Sequence, residues 1–471
     1  MRLRSFRGGY RFTRFRGRPQ AEVLEAALPH AVALRLAAGL APAVRPGDAV
    51  VAGDIVARDD ASVSSPLAAP ISGAVEKAAG GLVAIRGDGS AAWRRLEGAS
   101  TDWSRLPVER IEDLLYLSGA SALGASGIPT RFRSARVAPA DAVDVIVTAA
   151  TGGEPFEPMP SAVLGASGAA ALLDGVGILR RLMPRARFHL ALSRSTRALL
   201  AAPAPEWLRV VLLEEKYPAL HESVLVASVL GTVLPAWRRA VDAGVVILDL
   251  QAVLQARAAV TEGRPLIDRL VALGGPGFAR TPHVRARIGT TIGDLARGHL
   301  DSAESRLIVG SALTGEALED PAARCVEAGT SLVVALGGSR REIFEWMRPG
   351  LSTDSYCRVF VAGMLPLAKR ADTGLHGEHR PCLTCNFCDR VCPAGILPHL
   401  LHRYVRRNII EDSLVRYRMF DCIDCNLCTY VCPSKIPVAQ LMADGKRRLR
   451  EEGLAPVDPA ARGSAKEAKP V

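Results

Sequence analysis

The chain lacks any apolar run long enough to cross a bilayer. Although 49% of its 471 residues are hydrophobic, no stretch approaches the 18 or more uninterrupted apolar residues that a spanning helix needs. The nearest, 166–179 and 331–338, are short or broken by Asp174 and by glycines, so the chain is predicted not to cross a membrane. Lysine is scarce, and the net charge of +11 is mostly arginine, a bias that genomic composition explains as readily as selection for a partner. Arg2, Arg4, Arg7, Arg11, Arg14, Arg16 and Arg18 crowd the start, but no apolar segment or small-residue cleavage site follows them. A secretory leader is therefore not expected. Phe6, Tyr10, Phe12 and Phe15 interleave with this basic stretch, yet no nucleic-acid reader motif accompanies them, and nucleic acid is not an expected partner.

What the chain does have is a cysteine pattern written twice. Cys382-Leu-Thr-Cys385-Asn-Phe-Cys388-Asp-Arg-Val-Cys392-Pro393 is followed by Cys422-Ile-Asp-Cys425-Asn-Leu-Cys428-Thr-Tyr-Val-Cys432-Pro433. Each is the C-x2-C-x2-C-x3-C-P run that holds a [4Fe–4S] cubane in bacterial ferredoxins, where the fourth cysteine ligates the other cluster. The spacing predicts one cluster on Cys382, Cys385, Cys388 and Cys432 and a second on Cys422, Cys425, Cys428 and Cys392. Paired C-x2-C units also suit tetrahedral zinc, but zinc calls for two pairs, and here a third cysteine and then Cys-Pro recur at the same intervals. Two clusters in tandem mean electron transfer, and thiolates kept reduced for cluster assembly argue for the cytosol. The remaining Cys325 and Cys357 are read as ordinary buried thiols. The basic excess then finds an economical use as a face for an acidic electron carrier or the cytoplasmic leaflet.

A chain of this length should divide into three or four domains. Residues 40–86 read as short strands punctuated by Pro-Gly-Asp and Ser-Gly turns, similar to the barrel-sandwich of lipoyl and biotinyl carriers. The hairpin tip Asp59-Asp60-Ala-Ser-Val-Ser-Ser offers no lysine to modify, so its reading is structural. Residues 110–250 alternate helical periods with apolar runs beginning at Val143, Phe188, Arg209 and Val245, as a parallel α/β sheet requires. Residues 264–320 read as strand, turn, strand and a threonine-capped helix, a small β-grasp-like module. Between the cysteine runs apolar residues fall at helical intervals, favouring a helical dicluster domain over a compact β-rich ferredoxin. The expected architecture is α/β multidomain: a barrel-sandwich at 1–100, a parallel α/β flavin-type domain at 101–260, a β-grasp (SLBB-like) module at 261–345, an α-helical dicluster ferredoxin domain at 346–454 and an unstructured tail at 455–471.

Loops at the carboxyl ends of parallel strands are where ligands bind, and two are unusual. Residues 122–133 set glycines beside a hydroxyl and basic side chains, chemistry suited to cradling a phosphate, although a plain turn serves equally well. The second, Thr148-Ala-Ala-Thr-Gly-Gly-Glu154-Pro-Phe-Glu157-Pro, offers two carboxylates to ribose or ring N–H groups, or is a solvated acidic loop.

In order, these pieces resemble the peripheral C subunit of Rnf-type electron transport complexes and its relative, the A subunit of sodium-translocating NADH:quinone reductase. The resemblance rests on Phe6-Arg-Gly-Gly, Ala69-Pro-Ile-Ser-Gly-Ala-Val, Lys216-Tyr-Pro-Ala-Leu-His-Glu222, Gly263-Arg-Pro-Leu-Ile-Asp-Arg-Leu-Val and Ile288-Gly-Thr-Thr-Ile-Gly-Asp-Leu. The dicluster end matches the Rnf protein, whereas Pro129-Thr-Arg-Phe-Arg and Arg280-Thr-Pro-His-Val-Arg-Ala-Arg-Ile-Gly look more like the quinone reductase protein. Because the family also resembles the flavin-bearing subunit of respiratory complex I, the resemblance implies FMN reduced by NADH. Gly124, Gly127, Thr130 and Arg133 would then line the flavin phosphate, and Glu157 and Glu222 would approach the flavin or nicotinamide. The sequence departs from those relatives at Ala122, Ala125 and Ser126, whose β-carbons narrow the space, and at Gly152, where they carry asparagine.

The implied function is an NADH-dependent oxidoreductase subunit at the cytoplasmic face of the inner membrane. It passes electrons between NADH and integral membrane subunits, or a ferredoxin, through two [4Fe–4S] clusters, with no catalytic acid, base or nucleophile. Two other readings stand beside it: a flavin-less docking and relay subunit, and a soluble corrinoid-type reductase of the same architecture.

Overall fold

A computed structural model describes residues 3–165, 168–200, 203–235, 237–302, 304–337, 351–357, 361–374 and 378–456. Most of the predicted tail therefore lies outside the described residues. The apolar runs become parallel strands at Asp144–Thr148, Arg187–Ser193, Leu208–Leu213 and Val245–Asp249. Buried on both faces, such strands need continuous apolar sequence rather than alternation, and Val145, Ile146 and Val147 are wholly inaccessible. The order across the sheet is Leu3–Arg4, Leu208–Leu213, Arg187–Ser193, Asp144–Thr148, Val245–Asp249. The chain builds to one side of Asp144–Thr148 and then returns to add Val245–Asp249 on the other. The reversal puts a switch point at the carboxyl ends of these two neighbours, the place where an open α/β sheet has its ligand crevice. The helices Val108–Leu117, Gly168–Leu182 and Leu250–Glu262 pack together beside the sheet.

A second, six-stranded mixed sheet runs in the order Glu316–Ala317, Arg306–Val309, Leu332–Leu336, Asp268–Gly274, His283–Arg287, Val23–Glu25. Its expected threonine cap is present: Thr291 Oγ1 accepts the Asp294 N–H at 3.0 Å where the helix Ile292–Ala296 begins, satisfying one of the free donors of the first turn. Residues 31–87 form two small antiparallel sheets of four and three strands. The tip between Ile55–Arg58 and Leu67–Ala68 is wound about Asp59, whose carboxylate accepts the N–H groups of Ala61, Val63 and Ser64.

The first 25 residues do not stay with these small sheets. Leu3–Arg4 pairs with Leu212 and Leu213 at the edge of the α/β sheet, and Val23–Glu25 pairs with His283, Val284 and Arg285. Between them Phe12 and Phe15, 3% and 7% exposed, join Phe156, Tyr217, Leu427 and Val431 in one cluster. Two of the four aromatics of the basic stretch are thus core residues, burying the large apolar area such rings offer, while Phe6 and Tyr10 are half-buried.

The C-terminal region is helical, with Phe387–Val391, Pro398–Arg406, Asp412–Arg416, Leu427–Tyr430 and Val438–Glu451. Pro398 starts its helix at a position where the missing N–H costs nothing. Pro398–Arg406 packs closely on Val438–Glu451 because Gly445 has no side chain; a β-carbon there would stand 2.7 Å from Val405. Among the described residues no helix is long and apolar enough to cross a membrane.

Candidate metal centre and adjoining crevice

The two cysteine runs fold alike. Thr384 and Asn386 in the first, and Asp424 and Asn426 in the second, take left-handed backbone with φ between 53° and 62°, a conformation that asparagine and aspartate tolerate better than most residues. These turns gather the thiols. Cys382, Cys385, Cys388 and Cys432 line one cavity with Phe387, His399, His402 and Ile436. Cys392, from the first run, lies instead near Cys425 and Cys428, close enough to raise their affinity for protons. The fourth cysteine of each run has crossed to the other set.

The donor chemistry fits metal. Burial pushes the Cys388, Cys422 and Cys425 thiols up to about 12, so thiolates at these positions need a cation in place of the proton. Among the described residues no three His, Cys, Asp or Glu side chains close in tightly enough for a single metal ion. Four sulfurs spread round a cavity suit a polynuclear cluster, in which each binds its own iron. Cys325 and Cys357 are half-buried, less enclosed than expected.

The second set is tied into the body of the protein. Tyr217 Oη donates to the Cys425 carbonyl at 3.0 Å and Asn426 Nδ2 to the Leu313 carbonyl at 2.8 Å. Lys446, 6% exposed, donates from Nζ to the Cys422 carbonyl at 3.1 Å and pairs with Asp424. Tyr10 and Tyr430 both donate to Asp354 Oδ2, at 2.6 and 2.7 Å. The Phe6-Arg-Gly-Gly motif acquires a structural reason here. Gly8 has φ +69°, and a β-carbon on it would stand 2.5 Å from the Cys392 carbonyl oxygen, while the Gly9 N–H donates to the Val391 carbonyl at 2.8 Å. Only glycine lets the N-terminal segment lie against the crossing cysteine.

At the crevice the acidic loop closes on itself. Glu157 accepts the N–H groups of Gly152 and Gly153 at 2.6 and 3.3 Å. Burial raises its carboxyl to about 8, countered in part by those donors and by Arg18, while Glu154 nearby adds to the rise. Glu154 is raised by burial to about 7 and hydrogen-bonds Ser311. Gly153 presses on the Lys216–Tyr217 backbone, so this loop, Tyr217 and Cys425 adjoin one another. The sequence offers Glu154 and Glu157 together as acceptors for ribose or ring N–H groups, but nothing in it singles out Lys446 or His402. Both are polar residues whose importance lies in burial, which no local pattern announces.

The glycine loop is built differently from its expectation. A β-carbon on Gly124 would meet Leu248 at 2.8 Å, and one on Gly127 would meet the Ser121 carbonyl at 3.0 Å and Ala135 at 3.1 Å. The N–H groups of Gly127, Ile128, Arg131 and Arg133 donate to Gly124, Ser121, Glu112 and Ser62. Space and donors that a phosphate needs are thus used within the chain, and the loop does not fit that group. Arg133 is exposed. Thr130 is buried with Oγ1 unpartnered among the described residues. Glu222 opens the helix Glu222–Leu230 and accepts the Ala240 N–H; the preceding Arg239 donates to the Ala125 carbonyl at 2.6 Å, linking Glu222 to the glycine loop through protein rather than across a cavity.

Comparison with known proteins places these pieces. Residues 270–320 match the NQRA C-terminal domain and residues 378–436 the 4Fe-4S dicluster domain. The chain is similar to the C subunit of the ion-translocating oxidoreductase complex of Pseudomonas aeruginosa, with 30% identity over 87% of this chain and 50% of that one, and to its counterpart in Klebsiella pneumoniae, with 27% identity over 90% and 54%. It is also similar to the A subunit of the Na(+)-translocating NADH-quinone reductase of Actinobacillus pleuropneumoniae, with 25% identity over 76% and 79%. The chain spans about half the length of the ion-translocating complex relatives. A chain of an NAD+-reducing [NiFe]-hydrogenase aligns with a TM-score of 0.40 and 15% identity over 76% of this chain and 66% of its own length.

Proposed function

We propose, with this likeness to complex subunits as the premise, that the chain is a peripheral electron-transfer subunit of an Rnf/Nqr-type membrane oxidoreductase. It passes electrons through two [4Fe–4S] clusters to or from membrane subunits at the cytoplasmic face. The observation that carries the reading is the exchange of fourth cysteines: Cys432 lines the cavity of Cys382, Cys385 and Cys388, and Cys392 lies by Cys425 and Cys428. These eight thiols would hold the clusters, which supply one-electron chemistry when bound. The chain's part is to enclose them and to set the surrounding charge, as the buried Lys446 does beside Cys422. Residues 31–87 are read as a barrel-sandwich with a structural role.

A second reading adds NADH oxidation through FMN. The glycine loop argues against a phosphate at Gly124, Gly127, Thr130 and Arg133. In favour stand the half-buried Glu154 and Glu157 beside the strand-order reversal and next to Tyr217, on the side of the second thiol set.

Anaerobic reconstitution with iron, sulfide and FMN tests both readings. Roughly eight irons per chain without flavin, bleached by dithionite and not by NADH, is the expected result for the relay. One flavin with bleaching by NADH would establish the second reading, and four irons or fewer would count against two clusters.

A further inference from the structure

The first thiol set adjoins an open groove. This groove is lined by Arg380, Arg403, Arg406 and Arg407 and reaches Cys382 and His402. Arg403 and Arg406 lie in the last turn of Pro398–Arg406 and Arg407 is its cap, where cations suit the negative end of the helix dipole. The Arg380 N–H donates to the Ser434 carbonyl at 3.0 Å, which fixes the opposite wall. All four guanidinium groups belong to exposed residues, and none has a carboxylate partner among the described residues. Elsewhere arginines are commonly matched, as Arg131 is with Glu112 and Asp113, and Arg280 with Glu22. Four like charges gathered in one groove repel one another unless a partner supplies the opposite sign.

Two further observations join this groove to the thiols. His402, 1% exposed, belongs to the walls of both the groove and the cysteine cavity. Its Nδ1–H donates to the Pro398 carbonyl at 2.8 Å, while its Nε2 is buried and without a partner among the described residues. Beside Cys382, Leu383 is 67% exposed. Leu383 lines the cysteine cavity, while its neighbours Cys382 and Thr384 line the groove, so an exposed apolar side chain adjoins the cations, the composition of a protein contact. A flat bilayer surface meets the rim but not a recessed floor.

The geometry points to this groove as the docking site of an acidic one-electron carrier protein, whose carboxylates meet the four arginines and whose exposed redox centre faces Cys382 and His402. The inference rests on the relay reading above and names its soluble partner by charge. The step is a single electron transfer: the reduced carrier loses one electron, the cluster held by the first set gains it, and no bond or proton moves. The reverse direction uses the same contact.

The test is stopped-flow mixing of the full, cluster-loaded chain with a reduced acidic flavodoxin, with reduced methyl viologen as a donor that needs no docking surface. Arg403→Glu/Arg406→Glu is expected to slow reduction by flavodoxin about tenfold or more at low salt. The difference should shrink when ionic strength rises to about 0.5 M. Arg403→Lys/Arg406→Lys should restore most of the rate, Arg45→Glu on the distant small sheets should leave it unchanged, and viologen should reduce all variants equally. An unchanged flavodoxin rate in the doubly reversed variant overturns the proposal. So does loss of binding to phosphatidylserine vesicles in that variant with carrier transfer intact, which assigns the groove to a membrane surface. Failure of viologen to reduce any centre in the parent chain overturns the relay reading itself, and is distinguishable because it does not depend on the arginines.

Discussion

The two cysteine runs have one backbone and two environments. In the second, Cys425 and Asn426 are bonded to Tyr217 and Leu313, Leu427 is fully buried, and Lys446 covers Cys422. In the first, the equivalent Asn386 is exposed, Phe387 is only half-buried and Leu383 faces solvent. The repeated sequence encodes the ligand geometry, and the residues between the cysteines decide which half is anchored to the protein and which is left for a visitor. For the proposed relay the comparison supplies an inner end and an outer end.

The most direct way to break this comparison is to remove the crossing. Cys392→Ser is expected to abolish the cluster of the second set and about half of the bound iron, leaving the first-set paramagnetic resonance signal. Loss of only the first-set signal would overturn the ligand assignment. Anchoring is tested next. Asn426→Ala and Tyr217→Phe should each destabilise the loaded protein by about 1 kcal/mol, as lost hydrogen bonds to backbone carbonyls do, whereas Leu383→Ser should stay within about 0.5 kcal/mol in the same thermal melts. Equal effects on the two runs would erase the asymmetry.

The charge difference can be sharpened by potentiometry. Lys446→Met withdraws a buried cation from the second set and should lower that cluster's potential, on the order of 60 mV for a tenfold change in equilibrium, with the first cluster unmoved. A separate prediction concerns the crevice on the inner side. Glu157 titrates near 8 and Glu154 near 7 in the folded chain, against an ordinary 4.5. Ionisation therefore favours the unfolded state, and this contribution lowers stability as pH rises from about 4.5 to about 8. Glu157→Gln should flatten the stability profile in that window, and an unaltered slope would show that the carboxyl is hydrated.

Much of this was legible in the chain. The apolar runs near Val143, Phe188, Arg209 and Val245 are long enough to specify buried strands on their own, and Thr291 marks its helix because an N-cap is a local device. The cysteine intervals carried the metal chemistry for the same reason. The lacing of the first 25 residues through other modules was not legible, since pairings such as Leu3–Arg4 with Leu212 and Leu213 involve two residues and gain their stability from the edges they meet. The glycines of 122–133 illustrate a sharper limit. Gly124 and Gly127 do have positive φ, as a phosphate loop requires, but what fills the vacant space is Leu248, Ser121 and Ala135, residues that only the tertiary structure brings there. Burial of Lys446 and His402 is likewise a property of the assembled fold.

The closeness of Gly8 to Cys392 also has a bearing on how the protein is made. Val391 emerges from the ribosome long after Gly9, roughly half a minute later at ordinary elongation rates. Until then the N-terminal segment has nothing to close on, and Cys422, Cys425 and Cys428 emerge later still. The beginning of the chain therefore waits for its end: the wall that Gly8 and Gly9 supply beside Cys392 is built only after most of the chain has been made.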